Sequence, residues 1–261
     1  MEGTSRFEMA LSQPFYRICR PFTEGVWWRA AGQEPYVLDP RYCPNRTHFL
    51  HAYHLLEIEL LKVFDYVAPA DANREVFSHE LYQLLLRACT EVEANARAIL
   101  AANGYERKGK GNWDITDYRK VEQACRLSEY AVTLPIWDGT QSRRIPFENW
   151  RSDHSDHSLE WYLAYNQVKH NRSANFRHAN LENVLEAICG VFVLLFAQFH
   201  VLAFDAFHVV SRFKSDGDVL AHENSLFEIE LAKGWQPEEK YDFDWSAIKI
   251  GPTPISSFAF L

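Results

Sequence analysis

Apolar residues recur at helical spacing in five stretches of this chain. The first places Phe49, Tyr53, Leu56, Leu60, Phe64 and Val67 on one stripe, stopped by Pro69. The second places Phe77, Leu81, Leu84, Ala88, Val92 and Ile99 on one face, with Ser78 or Asp71 as the N-terminal cap and Asn103-Gly104 as the stop. These two predict a long antiparallel pair. A third helix starts near Asp114 or Thr116 and uses Tyr118, Val121 and Cys125, and a fourth carries Trp161, Tyr165 and Val168. The fifth, capped by Asn180 or Ser173, carries Val184, Ile188, Val191, Leu195, Phe199 and Leu202 and is apolar nearly all round, which predicts the centre of the bundle.

Between Ala131 and Trp150 the helical period disappears. Thr133 to Trp137 and Ile145 to Phe147 flank a turn at Asp138-Gly139, and a proline in each arm allows only a small hairpin. Beyond Asn224 the chain returns to extended character, with Phe227-Glu228-Ile229-Glu230-Leu231 alternating. The fold expected is therefore all-α: a helical bundle of about five main helices with a small irregular β-hairpin insertion and extended N- and C-terminal segments. One domain over residues 1–261 is expected, with its core at about 46–212, the hairpin at about 131–150 and a C-terminal extension at about 224–261.

Composition narrows the function classes. With 47% hydrophobic residues and eight tryptophans in 261 residues, a packed interior is expected. The formal net charge of −8 argues against broad capture of duplex DNA, which needs a basic face. Five scattered cysteines, with no close pair for zinc or redox work, fit a reducing cytoplasm. The first residues lack the pattern of a secretory signal, and Ala187 to Ala197 is too short for a membrane span, so no membrane partner is expected. No glycine-rich phosphate loop and no Gly-x-Ser-x-Gly elbow is present. Asp153-His154-Ser155-Asp156-His157 reads as a solvated loop, and His48, His51 and His54 drift around their helix, so neither metal nor cofactor is expected. His200 and His208 read as core or interface histidines.

One segment concentrates charge of the other sign. From Trp161 to Arg172 and on to Arg177-His178 there are histidines, amides and cations, with no carboxylate between Glu160 and Glu182. In an acidic chain that marks the place for an anionic ligand. A bland alternative is that His170 and Asn171 end a helix whose last carbonyls the neighbouring cations satisfy. Glu91 and Asn95, near the apolar stripe of the second helix, are either partners of the His170 region or edge residues that reach water.

A helical core with an amide and a histidine before the last long helix resembles the HEPN superfamily (higher eukaryotes and prokaryotes nucleotide-binding). Its motif is an arginine, a polar residue that is often asparagine, a few variable positions and a histidine. Asn166 and His170 match the last two, and Tyr165 stands where the arginine would be. A second alignment uses Arg172 and His178. By helix order the resemblance covers His48 to Phe207. It implies an RNA or nucleotide ligand, a homodimer that brings two motifs to one cleft, and metal-independent RNA cleavage of toxin or defence type. On that implication His170 is the acid/base, Asn166 its orienting amide and Arg172 or Lys169 the phosphate cation. Arg177 and His178 extend the phosphate-binding surface, and Tyr165 supports it beside Glu91 and Asn95. The competing expectation is a catalytically silent module that docks a protein partner or dimerises, which the tyrosine at the arginine position favours.

Overall fold

The computed structural model describes residues 10–27, 35–107, 109–203, 213–216, 219–222 and 225–261. The fold is mostly helical with a small antiparallel sheet. Four long helices carry it: α1 (Arg46–Phe64), α2 (His79–Ala102), α5 (Glu160–His170) and α7 (Leu181–Phe199). Short α3 (Ile115–Tyr118) and α4 (Glu122–Cys125) lie between α2 and α5, α6 (Arg172–Asn175) follows α5, and α8 (Trp245–Ile248) lies in the C-terminal segment. The sheet has the order β2-β1-β5-β4-β3, all antiparallel, from β1 (Ala131–Thr133), β2 (Arg143–Arg144), β3 (Phe213–Asp216), β4 (Val219–His222) and β5 (Glu228–Glu230).

The central position of α7 follows from its composition. Every residue from Ala187 to Phe199 is buried, and α2 packs along it more extensively than along any other element. By length and composition alone α7 could cross a membrane, but 83% of its apolar window is buried inside the protein. Asn180 Oδ1 caps it by accepting from Asn183 N, and Ser78 Oγ caps α2 by accepting from Leu81 N. Asp71 takes no part in capping α2. Its carboxylate accepts from Trp137 Nε1, Thr140 N, Thr140 Oγ1 and Gln141 N, fastening the hairpin turn to the short turn at Asp71–Asn73 ahead of α2. Those bonds, from Trp137 first and the Thr140 amide next, hold the Asp71 carboxyl down to about 2. Gly139 sits at φ +137°, and a Cβ there would lie 2.3 Å from Asp71 Cγ, so the turn requires glycine.

Several expectations need correction. The mostly helical class with a small β insertion holds, but the hairpin is larger than expected because it is part of a sheet: Val132 of β1 pairs with both Arg144 and Ile229. The hairpin arms lie outside Pro135 and Pro146, since proline has no N–H for the ladder. The third helix is two single turns joined by a tight one, although Tyr118, Val121 and Cys125 are buried as expected. A capping box of Asp114 and Asp117 opens it and Arg126, in the left-handed region at φ 51°, closes it. Val67 and Phe77 fall outside the helices, and Phe77 is 48% exposed. The alternation from Phe227 to Leu231 does form a strand, with Phe227, Ile229 and Leu231 buried.

Both extended end segments pack on one continuous core. Leu11 and Phe22 bridge to Tyr241, and Phe15 bridges to Ser256. Phe22, Tyr36, Tyr241 and Phe243 form an edge-to-face cluster there, and Trp27 stacks on His200. Burial lowers His200 to about 3, so it is a neutral core histidine, as expected. Trp28, Lys108, Asp205, Phe207 and His208 lie outside the described residues. All five cysteines are buried and unpaired.

Candidate functional site

The segment from Trp161 to His178 forms α5, a break at Asn171, the single turn α6 and a final tight turn over Phe176–His178. Trp161, Tyr162, Ala164, Tyr165 and Val168 face inward because they fall on one side of α5. The other side presents Leu163, Asn166, Gln167 and His170. Leu163 is 47% exposed, Gln167 and His170 are exposed, and Asn166 is half-buried. Asn166 and His170 are one turn apart on this face, as the motif alignment expects.

The end of α5 is closed by an amide and not by the cations. Asn175 Nδ2 donates to the carbonyls of Gln167 and Asn171, and Asn171 Oδ1 accepts from Ala174 N to start α6. Among the described residues the side chains of Asn166, His170, Arg177 and His178 have no hydrogen bond or ion pair. The helix-capping role foreseen for the basic residues therefore belongs to Asn175.

Tyr165 is buried, 3% exposed, and its hydroxyl accepts from Lys169 Nζ at 2.8 Å. That bond raises the lysine above its ordinary value. Beside it the Tyr162 hydroxyl donates to Glu93 Oε1 at 2.8 Å. Arg172 turns across to α2, its guanidinium 5.7 Å from the Tyr82 ring centroid. Tyr82, Phe77 and His79 surround Phe176, with centroids 6.3, 5.6 and 4.7 Å from it, so an aromatic shelf stands beside the cations. The sequence reading missed this shelf, since its residues lie some ninety positions from Arg172. The available signal was Phe77, an aromatic at the edge of its helical stripe.

Asn95 and Glu91 do not join this surface. Asn95 is fully buried; it donates to the Glu91 carbonyl and accepts from Gln198 Nε2 of α7. Gln198 Oε1 in turn accepts from Arg17 Nε at 2.8 Å. Glu91 lines a cleft of about 290 Å³ with Ala52 and Leu55 of α1, where burial raises its carboxyl above the usual range. The physical reason is periodicity: positions 91 and 95 follow the α1 and α7 sides of α2, whereas positions 82, 89 and 93 follow the α5 side.

Comparison with protein-family models, curated proteins and solved structures gives no match.

Among the described residues no group of three or more histidine, cysteine or carboxylate side chains is placed to hold a metal. In the 153–157 loop His154 Nδ1 lies 3.2 Å from Asn149 Oδ1, His157 Nδ1 lies 2.8 Å from the Asn149 carbonyl, and Asp156 accepts from Ser158 N. Those groups organise the loop. The α5 surface offers a different chemistry: a solvent-facing imidazole, an amide one turn before it, cations able to take phosphate oxygens, and aromatic faces for bases.

Proposed function

We propose that this chain is a HEPN-like RNA-binding protein that engages single-stranded RNA along α5, α6 and the Phe176–His178 turn. The observation that carries this reading is that His170, Asn166 and Arg177 reach solvent without protein partners, next to the shelf of Phe77, His79 and Phe176. Cations that track phosphates beside aromatics that stack bases are what a sequence-tolerant single-strand site needs. Arg172, Lys169 and Arg177 take the backbone, and His178 extends that surface.

Cleavage is the further step of the same proposal. A neutral imidazole at His170 can accept the ribose 2′-hydroxyl proton, Asn166 orients it, and Arg172 meets the charge that builds on phosphorus. One histidine supplies only one proton-transfer group. A second copy paired about the exposed Leu163 face supplies the other, and this is the role of the homodimer. No metal or cofactor enters. A non-catalytic docking module is the second reading, favoured by Tyr165, which fills the family's arginine position with a buried ring held by Lys169.

The test is incubation of the protein with mixed RNA in chelator beside His170→Ala, with fragment ends analysed for 2′,3′-cyclic phosphate. Cleavage lost in the variant is the expected result. RNA that stays intact but is bound, with binding weakened in Arg172→Ala and Arg177→Ala, keeps the RNA site and removes catalysis. Failure of the unaltered protein to bind RNA at all sinks the proposal and leaves the docking module.

A further inference from the structure

The 116–129 segment and the 150–157 loop, with Glu239, line an open cavity of about 570 Å³ that shares no residue with the α5 surface. It is large enough for a small metabolite. Its carboxylates are already engaged. Glu122 accepts from Ser128 N and Ser128 Oγ, at 2.9 and 2.6 Å, and burial raises it above the ordinary carboxylate range. Glu129 and Glu239 share the Arg126 guanidinium, at 2.5 and 2.6 Å. Glu129 also accepts from Gly234 N, an approach so close that a Cβ on Gly234 would lie 2.9 Å from its Oε1.

Two of the cavity's cations are not engaged. Arg119 and Arg151 both line it and are half-buried, and neither guanidinium has a hydrogen bond, ion pair or ring contact among the described residues. The remaining lysine, Lys120, is accounted for: its Nζ donates to the Leu261 carbonyl. Trp150 forms part of the wall with its ring, the residue being 3% exposed. His157 also lines the cavity; its Nδ1 faces the Asn149 carbonyl, which only accepts, so Nδ1 carries hydrogen and Nε2 stays available to a hydroxyl.

We propose that this cavity binds a small phosphate monoester, its phosphoryl group held by Arg119 and Arg151 and its hydroxylated body lying toward His157 and Trp150. Guanidinium suits that dianion because its planar fork gives two parallel hydrogen bonds to phosphoryl oxygens. The cavity exceeds what a bare phosphate fills, which calls for the organic body.

The test is calorimetric titration of the full chain in chloride buffer with ribose 5-phosphate, inorganic phosphate and ribose. Saturable binding of ribose 5-phosphate at one site per chain is expected, with none of ribose. Arg119→Ala and Arg151→Ala each weaken it at least tenfold, Arg119→Lys weakens it less, and His170→Ala leaves it unchanged. Phenylglyoxal labelling of the unsubstituted protein gives a second readout independent of variant folding: ribose 5-phosphate protects Arg119 and Arg151 and no other arginine. Absence of saturable binding by both phosphorylated probes, or binding and labelling indifferent to these two arginines, overturns the proposal. The RNA reading stands or falls separately, on RNA binding at the α5 surface.

Discussion

Arg144 and Arg172 stand at opposite limits of how this chain places a cation. Arg144, on β2, is 4% exposed; its Nη1 donates to Glu182 at 2.8 Å and Glu186 at 3.1 Å, and its guanidinium lies 5.0 Å from the Trp137 ring. Arg74 closes the group on Glu182 from the turn that precedes α2. Burial pushes the Glu182 carboxyl up, but the two arginines outweigh it and hold that carboxyl below its usual range. Arg172 is exposed, lies against the Tyr82 ring and has no ion pair among the described residues. The same side chain serves cohesion where its field is consumed inside the protein and recognition where that field points outward. Burial and pairing, not residue type, separate the two roles.

The contrast is broken first at Arg144. Arg144→Met strands Glu186 and leaves Glu182 with Arg74 alone, and it is expected to cost about 3 kcal/mol, because removal of one partner leaves charge uncompensated beside the core. In thermal unfolding that is a fall of roughly 6–12 °C for a chain of this size. A change under about 1 kcal/mol would place the group with exposed surface pairs instead.

Asp71 gives a smaller, pH-dependent effect. Its folded-state value, about 2, lies below the ordinary 3.8, so its bonds to the hairpin stabilise fully above the ordinary value and fade as pH falls toward 2. Asp71→Asn should therefore melt below the unsubstituted protein at pH 5, and the gap should close at pH 2. A gap that persists unchanged would detach the effect from ionisation.

The smallest stability effect is expected on the α5 surface. Arg172→Ala and Arg177→Ala should each move stability by no more than about 0.5 kcal/mol. Each should nevertheless weaken RNA binding and lower its salt slope by about one for a lost phosphate contact. Melting and salt-titrated filter binding on the same preparations check both halves.

Much of the helical frame could be read from periodicity, because α1, α2, α5 and α7 bury what their stripes indicate. Of the sheet only local pieces could be read, the hairpin and the 227–231 alternation: β1 and β2 hold three and two residues, too few for a period, and pairing of β1 with β5 joins positions about a hundred apart. Asn166 and His170 were legible as one helical face, since four-residue spacing fixes that. Asn95 was misplaced because periodicity does not say which neighbour a helix face meets, and here the neighbour is Gln198. Arg119 and Arg151 carried no local signal at all; only the absence of a partner in space distinguishes them from other surface arginines.

The pairing of the two end segments has a consequence for synthesis. Tyr16 N donates to the Ser256 carbonyl and Ser256 N to the Pro14 carbonyl, so this seam joins almost the first described residues to almost the last. On a ribosome the helices emerge long before residue 256, and the faces that Tyr241 and Phe243 will cover stay open to water until then. Closure across so long a loop is slow. Until the 241–256 segment docks, that apolar surface stays uncovered, so formation of the seam is the step that shields it.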